Sequence, residues 1–285
     1  MVVPVRYEQE SLQTTHCSSK EYLNRMLALL SPAKTLDFTP PPKRLAHTIP
    51  GLLSDSEQLI DVLRTKSASQ LEKLMKISNK LAVLNHTRYS DWSTPFTSEN
   101  AKQCLLAFRG DVYQGLEADT FRKADFDYAQ KHLRILSGLY GILRPLDLIQ
   151  AYRLEMGTSL KTKRGKNLYD FWADQITNEL NAALNAQRGQ HLINLASNEY
   201  FNAVTAKSLE AEVFTPVFKD LKNGQYKLIS FFAKKARGMM ADYIIRNRLK
   251  HPDELCGFDR AGYAFNPDLS DDFTLTFTRD APPAA

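Results

Sequence analysis

Cysteine is scarce in this chain of 285 residues, and its three cysteines lie far apart. Cys17, Cys104 and Cys256 include no C-x-x-C pair. This spacing argues against a disulfide framework and against a zinc ribbon, and it favours a reducing compartment.

Long apolar runs are also missing. No stretch approaches the roughly 18 apolar residues that a membrane-spanning helix needs. The first 25 residues carry Glu8, Glu10 and Glu21, whereas a secretory signal has a basic start followed by an apolar block. We therefore expect a cytoplasmic protein without a membrane partner.

The common nucleotide-binding and catalytic signatures are absent. Gly157 lies too far from the Gly165-Lys166 pair for a phosphate-binding P-loop, and Asn167 stands where that loop needs Ser or Thr. The chain has no G-x-G-x-x-G, G-x-S-x-G or H-E-x-x-H, and its six histidines are isolated from one another. The sequence shows no set of metal ligands, so we expect neither a metal nor another cofactor.

What is present is typical of a globular α/β protein. Hydrophobic residues make up 43% of the chain and charged residues 24%, with a net charge of +5 that mildly favours an anionic partner. We find no internal repeat and no linker. The sequence predicts one mixed α/β domain over residues 26–285, with a sheet and surrounding helices, and a mobile extension over residues 1–25.

Apolar patterning predicts the elements of this domain. Residues 26–30 and 191–196 read as buried strands, and residues 213–218 and 226–232 flank Asn223-Gly224, a strong β-hairpin signal. Helical spacing predicts helices over residues 54–65, 69–79, 100–108, 169–184 and from about 233 onward.

A basic stretch at the centre of the chain is the first candidate for a phosphate site. Phe126, Ala129, Leu133 and Leu136 follow a helical spacing that stops at Ser137, and Pro145 suits the first turn of a second helix. Residues 128–166 hold eight Lys/Arg and two Asp/Glu. We expect a helix-hairpin-helix whose glycine turn donates backbone N–H groups to a phosphate. The alternative is an ordinary turn beside a solvated loop.

Two loops that follow predicted strands carry further candidates. Lys34 and Asp37 follow the first strand, where loops of α/β sheets bind ligands, although Ser31 with Pro32 also fits a helix cap. Asn198 and Glu199 follow the strand over residues 191–196. A helix cap is the simpler interpretation of this second loop, and a shared rim with Lys34 is the functional one.

A second basic locus lies at the start of the last predicted helix. Lys234, Lys235 and Arg237 fall in its first turn, where cations oppose the helix dipole by roughly 0.3–1 kcal/mol each. An anionic ligand at this helix start would reverse the sign of that effect. We therefore expect the locus to bind phosphate.

Five segments resemble the bacterial YaaA peroxide-stress-resistance family. They are, in order, SPAKTLD at 31–37, LSGLYGILRPLD at 136–147, YRLEMG at 152–157, NLASNEYF at 194–201 and FAKKARG at 232–238. The resemblance implies one α/β domain of unusual topology with a basic cleft and a cytosolic role in limiting damage by hydrogen peroxide and unincorporated iron. It also implies binding of duplex or branched DNA through a helix-hairpin-helix. Family members start at the position of Met26, so the resemblance does not extend to residues 1–25.

Two classes of function fit these residues. The first is a monomeric, non-catalytic DNA-binding protein with little sequence readout. Its phosphate contacts would be Lys34, Gly138, Gly141, Arg144, Arg153, Lys234, Lys235 and Arg237. The second is an enzyme for a small phosphorylated or nucleobase-like substrate, with a small anionic ligand in a pocket. That pocket would hold Lys34, Asp37, Glu155, Asn198 and Glu199.

Overall fold

A computed structural model describes residues 25–40 and 45–281 of the chain. The predicted extension, residues 1–25, lies outside the described residues except for Arg25, which begins the first strand.

The described residues form alternating strands and helices. The strands are β1 Arg25–Leu30, β2 Thr35–Leu36, β3 Lys102–Gln103, β4 Phe108–Arg109, β5 Leu133–Ser137, β6 Gly141–Leu143, β7 Leu148–Ile149, β8 Gly189–Asn194, β9 Glu212–Lys222, β10 Gln225–Lys227, β11 Ala264–Phe265 and β12 Thr274–Arg279. The helices are α1 Leu53–Arg64, α2 Ala68–Met75, α3 Asn79–Asp91, α4 Cys104–Ala107, α5 Asp111–Leu116, α6 Lys123–His132, α7 Leu168–Trp172, α8 Gln175–Gln187, α9 Asn198–Phe201 and α10 Ser230–Asn247. Short 3-10 helices lie at Ala118–Thr120, Ala206–Ser208, Pro252–Gly257, Arg260–Gly262 and Pro267–Leu269.

One large sheet organises the fold. Its strand order is β11-β12-β9-β8-β1-β5-β6, with β10 paired to β9. The central pairs β5–β1, β1–β8, β8–β9 and β9–β12 are parallel, and the outer pairs β5–β6, β11–β12 and β9–β10 are antiparallel. Because the central strands are parallel, their carboxyl ends lie at one edge of the sheet, here called the carboxyl edge. The predicted mixed α/β fold is confirmed.

Strand β1 occupies the centre of this sheet. Each residue from Met26 to Leu30 is at most 2% exposed, since β1 lies between β5 and β8 and both of its faces are covered. Central parallel strands are apolar on both faces for this reason. The predicted strand over residues 26–30 is confirmed.

The central basic stretch contains a strand where a helix was expected. Helix α6 ends at His132, and Leu133, Ile135 and Leu136 lie in β5, at most 1% exposed, beside β1. A strand buried on both faces has apolar residues at every spacing, including three and four. The helical pattern across residues 126–136 was therefore a coincidence of two adjacent elements.

The segment after β5 is a β-hairpin. Strand β6 pairs antiparallel with β5, with Ser137 opposite Gly141, and Gly141 has a φ of +68°, a value that glycine adopts without strain. Pro145 then precedes the short strand β7 and begins no helix. The predicted helix-hairpin-helix over this segment is wrong.

The second predicted hairpin is confirmed, with a shorter second strand. Strand β9 turns at Asn223-Gly224 into β10, which ends at Lys227. Helix α10 begins at Ser230, so Lys234 and Lys235 lie in its second turn rather than its first. Because the dipole effect decays within the first turn, the expected penalty at these lysines is smaller than their predicted position implied.

Helix α10 packs closely on α5, a helix that the sequence did not indicate. A Cβ atom at Gly238 would lie 1.8 Å from the carbonyl oxygen of Val112, and one at Gly115 would lie 2.1 Å from that of Lys235. The absence of side chains at these two glycines allows the helix backbones to touch. Helix α5 is in turn fixed to the carboxyl edge, because the hydroxyl of Tyr113 donates to the carbonyl of Ser31 at 3.0 Å.

Two predicted helices are divided in the structure. The helix expected over residues 169–184 is split into α7 and α8 at Ala173, which has a φ of +42°. The helix expected over residues 100–108 consists of β3, the short α4 and β4. None of the helices in the described part of the chain is both long and apolar enough to cross a membrane.

Candidate functional site at the carboxyl edge

The loops after β1 and β8 are joined side by side at the carboxyl edge. The backbone N–H of Ser197 donates to Oγ of Ser31 at 2.9 Å, and the Ser31 hydroxyl lies 3.3 Å from Oγ of Ser197. Ser197 occupies the cap position of α9, but its side chain makes no capping hydrogen bond. The serine of the predicted helix cap therefore fastens two loops together instead.

Lys34 and Glu155 meet at this edge. The ammonium of Lys34 lies 2.8 Å from Oε2 of Glu155, and Nη2 of Arg153 lies 3.0 Å from Oε1 of the same carboxylate. Lys34 is 62% exposed, whereas Glu155 and Arg153 are 25% and 18% exposed. Nε of Arg153 is buried without a hydrogen-bond partner in the described part of the chain. The cluster thus combines the exposed ammonium of Lys34 with the largely buried guanidinium of Arg153, whose Nε donor is unused.

Glu199 comes to the same cluster. Its Oε1 accepts a hydrogen bond from the N–H of Gly157 at 3.0 Å, and a Cβ atom at Gly157 would lie only 3.2 Å from that oxygen. Burial is the main cause that raises the pKa of Tyr200, and the charges of Glu199 and Glu155 raise it further, so its side chain stays a neutral phenol. The structure therefore brings Lys34, Arg153, Glu155 and Glu199 together.

Arg88 lies near this cluster, and sequence reasoning missed it. Burial is the main cause that lowers the pKa of its guanidinium, and the positive charge of Arg153 lowers it further. Arg88 lies on α3, and the neighbouring Tyr89 hydroxyl donates to the carbonyl of Arg153. No local pattern marks Arg88, because α3 reaches the site only through tertiary packing.

Asp37 lies apart from this cluster, and in the described residues the side chain of Asn198 forms no hydrogen bond with it. Asp37 accepts from Nη2 of Arg109 at 3.2 Å and lies 3.8 Å from the ammonium of Lys102, in a separate pocket. Asn198 is exposed at the first position of α9. Of the five predicted pocket residues, Lys34, Glu155 and Glu199 meet and these two do not join them.

The glycine turn after β5 is buried. A Cβ atom at Gly138 would lie 2.2 Å from the carbonyl oxygen of Leu154, and one at Gly141 would lie 2.9 Å from the ring of Trp172. The N–H of Tyr140, inside the turn, donates to Oγ of Ser137 at 3.0 Å. Contrary to expectation, this turn does not offer its backbone to a phosphate in solution, because the protein itself packs against both glycines.

Arg144 is held by a buried carboxylate. Its Nη2 lies 2.8 Å from Oδ1 of Asp147, which is 1% exposed, and it also donates to the carbonyl of Ile49 at 2.8 Å. Since β6 runs antiparallel to β5, Arg144 lies away from the carboxyl edge. The structure assigns Arg144 an internal ion pair and separates it from Lys34.

The start of α10 presents basic side chains in a different way. Lys234 and Lys235 are exposed and form no ion pair with any residue that the structure describes. Arg237 lies on the same face of α10 as the buried Ala233, Ala241 and Ile244. Burial lowers the pKa of its guanidinium. Within residues 25–40 and 45–281, no acid pairs with Arg237. The locus is therefore cationic and lacks internal counter-charges.

Each of the two basic segments pairs only part of its positive charge. Three arginines of residues 128–166 form ion pairs, which are Arg144 with Asp147, Arg153 with Glu155 and Arg164 with Asp55. In residues 227–250, Arg246 and Arg248 are paired with Asp242 and Asp125. Five cations of the second segment form no ion pair in the described part of the chain, and three of them, Lys234, Lys235 and Arg237, lie together near the start of α10, whereas Lys227 and Lys250 lie outside it.

In the described ranges, no group of three or more His, Cys, Asp or Glu side chains is placed to hold a metal ion.

A comparison with known protein families identifies the family of this chain. The sequence model of the family described as peroxide stress protein YaaA matches residues 26–269 of the 285. This match covers most of the chain, and the chain belongs to the peroxide stress protein YaaA family.

Proposed function

We propose that this chain acts in peroxide stress as a cytoplasmic, monomeric DNA-binding protein, and that the start of α10 is its main phosphate-binding surface. The observation that carries the proposal is the cationic locus of Lys234, Lys235 and Arg237, which lacks internal counter-charges. Binding DNA would bring the protein to a molecule that hydrogen peroxide and unincorporated iron damage. That protective role is the one the family resemblance implies.

The energetics of Arg237 support an external anion. A half-buried guanidinium without a counter-ion loses part of its hydration, and the lowered pKa reports this cost. A DNA phosphate would supply the missing charge and accept charge-assisted hydrogen bonds. Lys234 precedes Arg237 by three residues on α10, so both can approach one phosphate strand.

The mode of binding follows from the exposed side chains. Lysine ammonium groups contact phosphate oxygens as point charges and carry little base information. The buried glycine turn and the paired Arg144 are excluded from the surface that we propose. We therefore expect duplex binding with little sequence preference and with a strong dependence on salt.

The salt dependence of duplex binding tests this function. If Lys234, Lys235, Arg237 and one further cation each neutralise a phosphate, the slope of log affinity against log salt is about −3 to −4, at roughly −0.9 per contact. The measurement is fluorescence anisotropy with two duplexes of unrelated sequence, between about 50 and 200 mM salt. A slope near −1, or no binding at low salt, would reject duplex DNA as the partner.

A second candidate function rests on the cluster at the carboxyl edge. Lys34, Arg153 and Glu155 form a compact site where ligands of α/β sheets bind, and Nε of Arg153 is an unused buried donor. Such a site suits a small phosphorylated or nucleobase-like substrate. Titration of the protein with inorganic phosphate, followed by the NMR signals of labelled arginine side chains, tests it. This candidate requires a shift of the Arg153 Nε signal that saturates.

A further inference from the structure

A pocket of about 530 Å³ lies away from the Lys34 cluster and from Lys234, Lys235 and Arg237 at the start of α10. Its volume is within the range of small-molecule sites. Both apolar and charged side chains line it. The lining residues are Asp37, Thr39, Pro40, Leu45, Lys102, Leu106, Arg109, Ala118, Asp119, Phe121 and Phe126.

Lys102 is the buried polar group of this pocket. Its side chain is 7% exposed, and its ammonium donates to the carbonyls of Asp37 at 3.0 Å and Thr39 at 2.7 Å. An ammonium has three N–H donors, and among the residues that the structure describes none accepts the third, since Oδ2 of Asp37 is 3.8 Å away. A buried N–H without an acceptor is costly, so this donor is an anchor point for an acceptor in the pocket.

The charges along this wall alternate and cancel. Lys102 lies near Asp37, Asp37 accepts from Arg109 at 3.2 Å, and Arg109 also lies 3.2 Å from Asp119. The hydrogen bond from the N–H of Thr39 is the main cause that lowers the pKa of Asp37, so its carboxylate is ionised at neutral pH. Among the described residues that line the pocket, two cations and two anions balance. A dianionic phosphate therefore gains no net attraction from these residues, unlike at the start of α10.

Another part of the pocket lining is apolar and aromatic. Phe121 and Phe126 pack edge to face with ring centroids 5.5 Å apart, and each is at most 9% exposed. Leu106 and Ala118 are likewise buried beside them. Arg246 lies 5.1 Å from the centroid of the Phe121 ring. A planar apolar body in the pocket would meet ring and methyl surfaces.

We propose that this pocket binds a compact planar molecule that bears one carbonyl or carboxylate acceptor and no phosphate. The acceptor takes the third N–H of Lys102, and the planar body lies against Phe121 and Phe126. This inference is independent of DNA binding, since none of the pocket's residues belongs to the start of α10.

Three probes test the proposal: benzamide, benzoate and phenyl phosphate at about pH 8. They share a phenyl ring and carry a neutral carbonyl, a monoanionic carboxylate and a dianionic phosphate. With the full chain carrying labelled phenylalanine rings, nuclear Overhauser effects from bound benzamide and benzoate to Phe121 and Phe126 are expected. Phenyl phosphate should bind at least about tenfold more weakly than benzoate, because the wall is neutral.

A matched pair of variants locates the binding. Ala118→Phe fills the pocket with a ring and should weaken benzamide and benzoate at least about tenfold. Ala182→Phe makes the same change at an exposed alanine that lines another cavity and should leave both affinities unchanged. If Ala118→Phe does not fold, the nuclear Overhauser effects from the probes to Phe121 and Phe126 of the wild-type chain test the proposal instead. The proposal is overturned by absent contacts to both rings, by equal binding of phenyl phosphate, or by a folded Ala118→Phe variant that retains affinity.

Discussion

The ammonium of Lys34 lies 2.8 Å from Oε2 of Glu155, which links the loop after β1 to the segment after β7. Arg153 holds the other oxygen of that carboxylate at 3.0 Å. Glu155 thus pairs with the two cations that an anionic ligand would use. An anion at the carboxyl edge must compete with this internal carboxylate.

Replacing Glu155 by glutamine should strengthen anion binding at the carboxyl edge. The change keeps the side-chain shape and removes the competing charge from Lys34 and Arg153. We expect inorganic phosphate to bind about tenfold more tightly, which corresponds to about 1.4 kcal/mol. Isothermal titration of the variant and of the wild type measures this. Equal or weaker binding in the variant would remove the cluster as an anion site.

Replacing Gly238 by alanine should separate α10 from α5. The new methyl group would lie 1.8 Å from the carbonyl oxygen of Val112, which is backbone and does not yield easily. We expect a loss of about 3 kcal/mol in the free energy of unfolding, measured by urea denaturation. Gly51→Ala serves as the control, because its methyl group meets only a carboxylate oxygen of Glu179 at 3.7 Å. Similar urea midpoints for the two variants would contradict the close packing.

Replacing Arg144 by methionine should affect stability and not DNA binding. The change leaves the carboxylate of Asp147, which is 1% exposed, without its ion-pair partner. Removing one member of a buried pair costs several kcal/mol, and the partial exposure of Arg144 reduces our expectation to about 2 kcal/mol. Urea midpoints and duplex affinity are measured on the same sample. A folded variant of normal stability that has lost duplex affinity would return Arg144 to the DNA surface.

The sequence indicated the centre of the fold well because burial there leaves a strong local signal. Strand β1 is an unbroken apolar run, and Asn223-Gly224 specifies the hairpin of β9 and β10. Strand β5 was misread because its apolar residues continue the helical spacing of α6. Periodicity cannot separate a short buried strand from a helix when both faces are covered.

The candidate site was only partly predictable for a different reason. Lys34 and Glu199 follow strands whose carboxyl ends share one edge, so their convergence follows from topology. Arg88 and Lys102 reach their sites from helices and strands distant in sequence, and nothing local marks them. The count of charged residues suggested that Arg144 is free to bind phosphate. The count cannot show that the carboxylate of Asp147 contacts and neutralises Arg144 in the folded chain.

The pH dependence of stability should report on Asp125. Burial alone raises the pKa of this carboxyl group, but hydrogen bonds from the N–H of Arg122 and the guanidinium of Arg248 outweigh it and lower the pKa below 3.8. A lowered folded-state pKa gives stability that is present above the unfolded pKa and is lost as the pH falls through the folded value. Asp125→Asn should therefore cost about 2 kcal/mol at pH 7.

The difference between this variant and the wild type should begin to shrink below about pH 3.8, where the carboxyl group of the unfolded chain gains its proton, and should be lost as the pH falls through the lower folded-state pKa. Urea midpoints of both proteins at pH 7, 5 and 3 follow the difference directly. A gap that stays constant across this range would show that the carboxylate charge does not contribute to the stability of the α6 segment.

The central claim is that DNA phosphates meet the start of α10. Its most direct test is the salt dependence of duplex affinity for the double variant Lys234→Ala, Lys235→Ala. The matched control is Lys161→Ala, Lys163→Ala, which removes the same charge from exposed positions of the other basic segment. The account predicts that the first variant lowers the magnitude of the log–log slope by about 2, while the control leaves it unchanged. Equal slopes for the first variant and the wild type would contradict the claim.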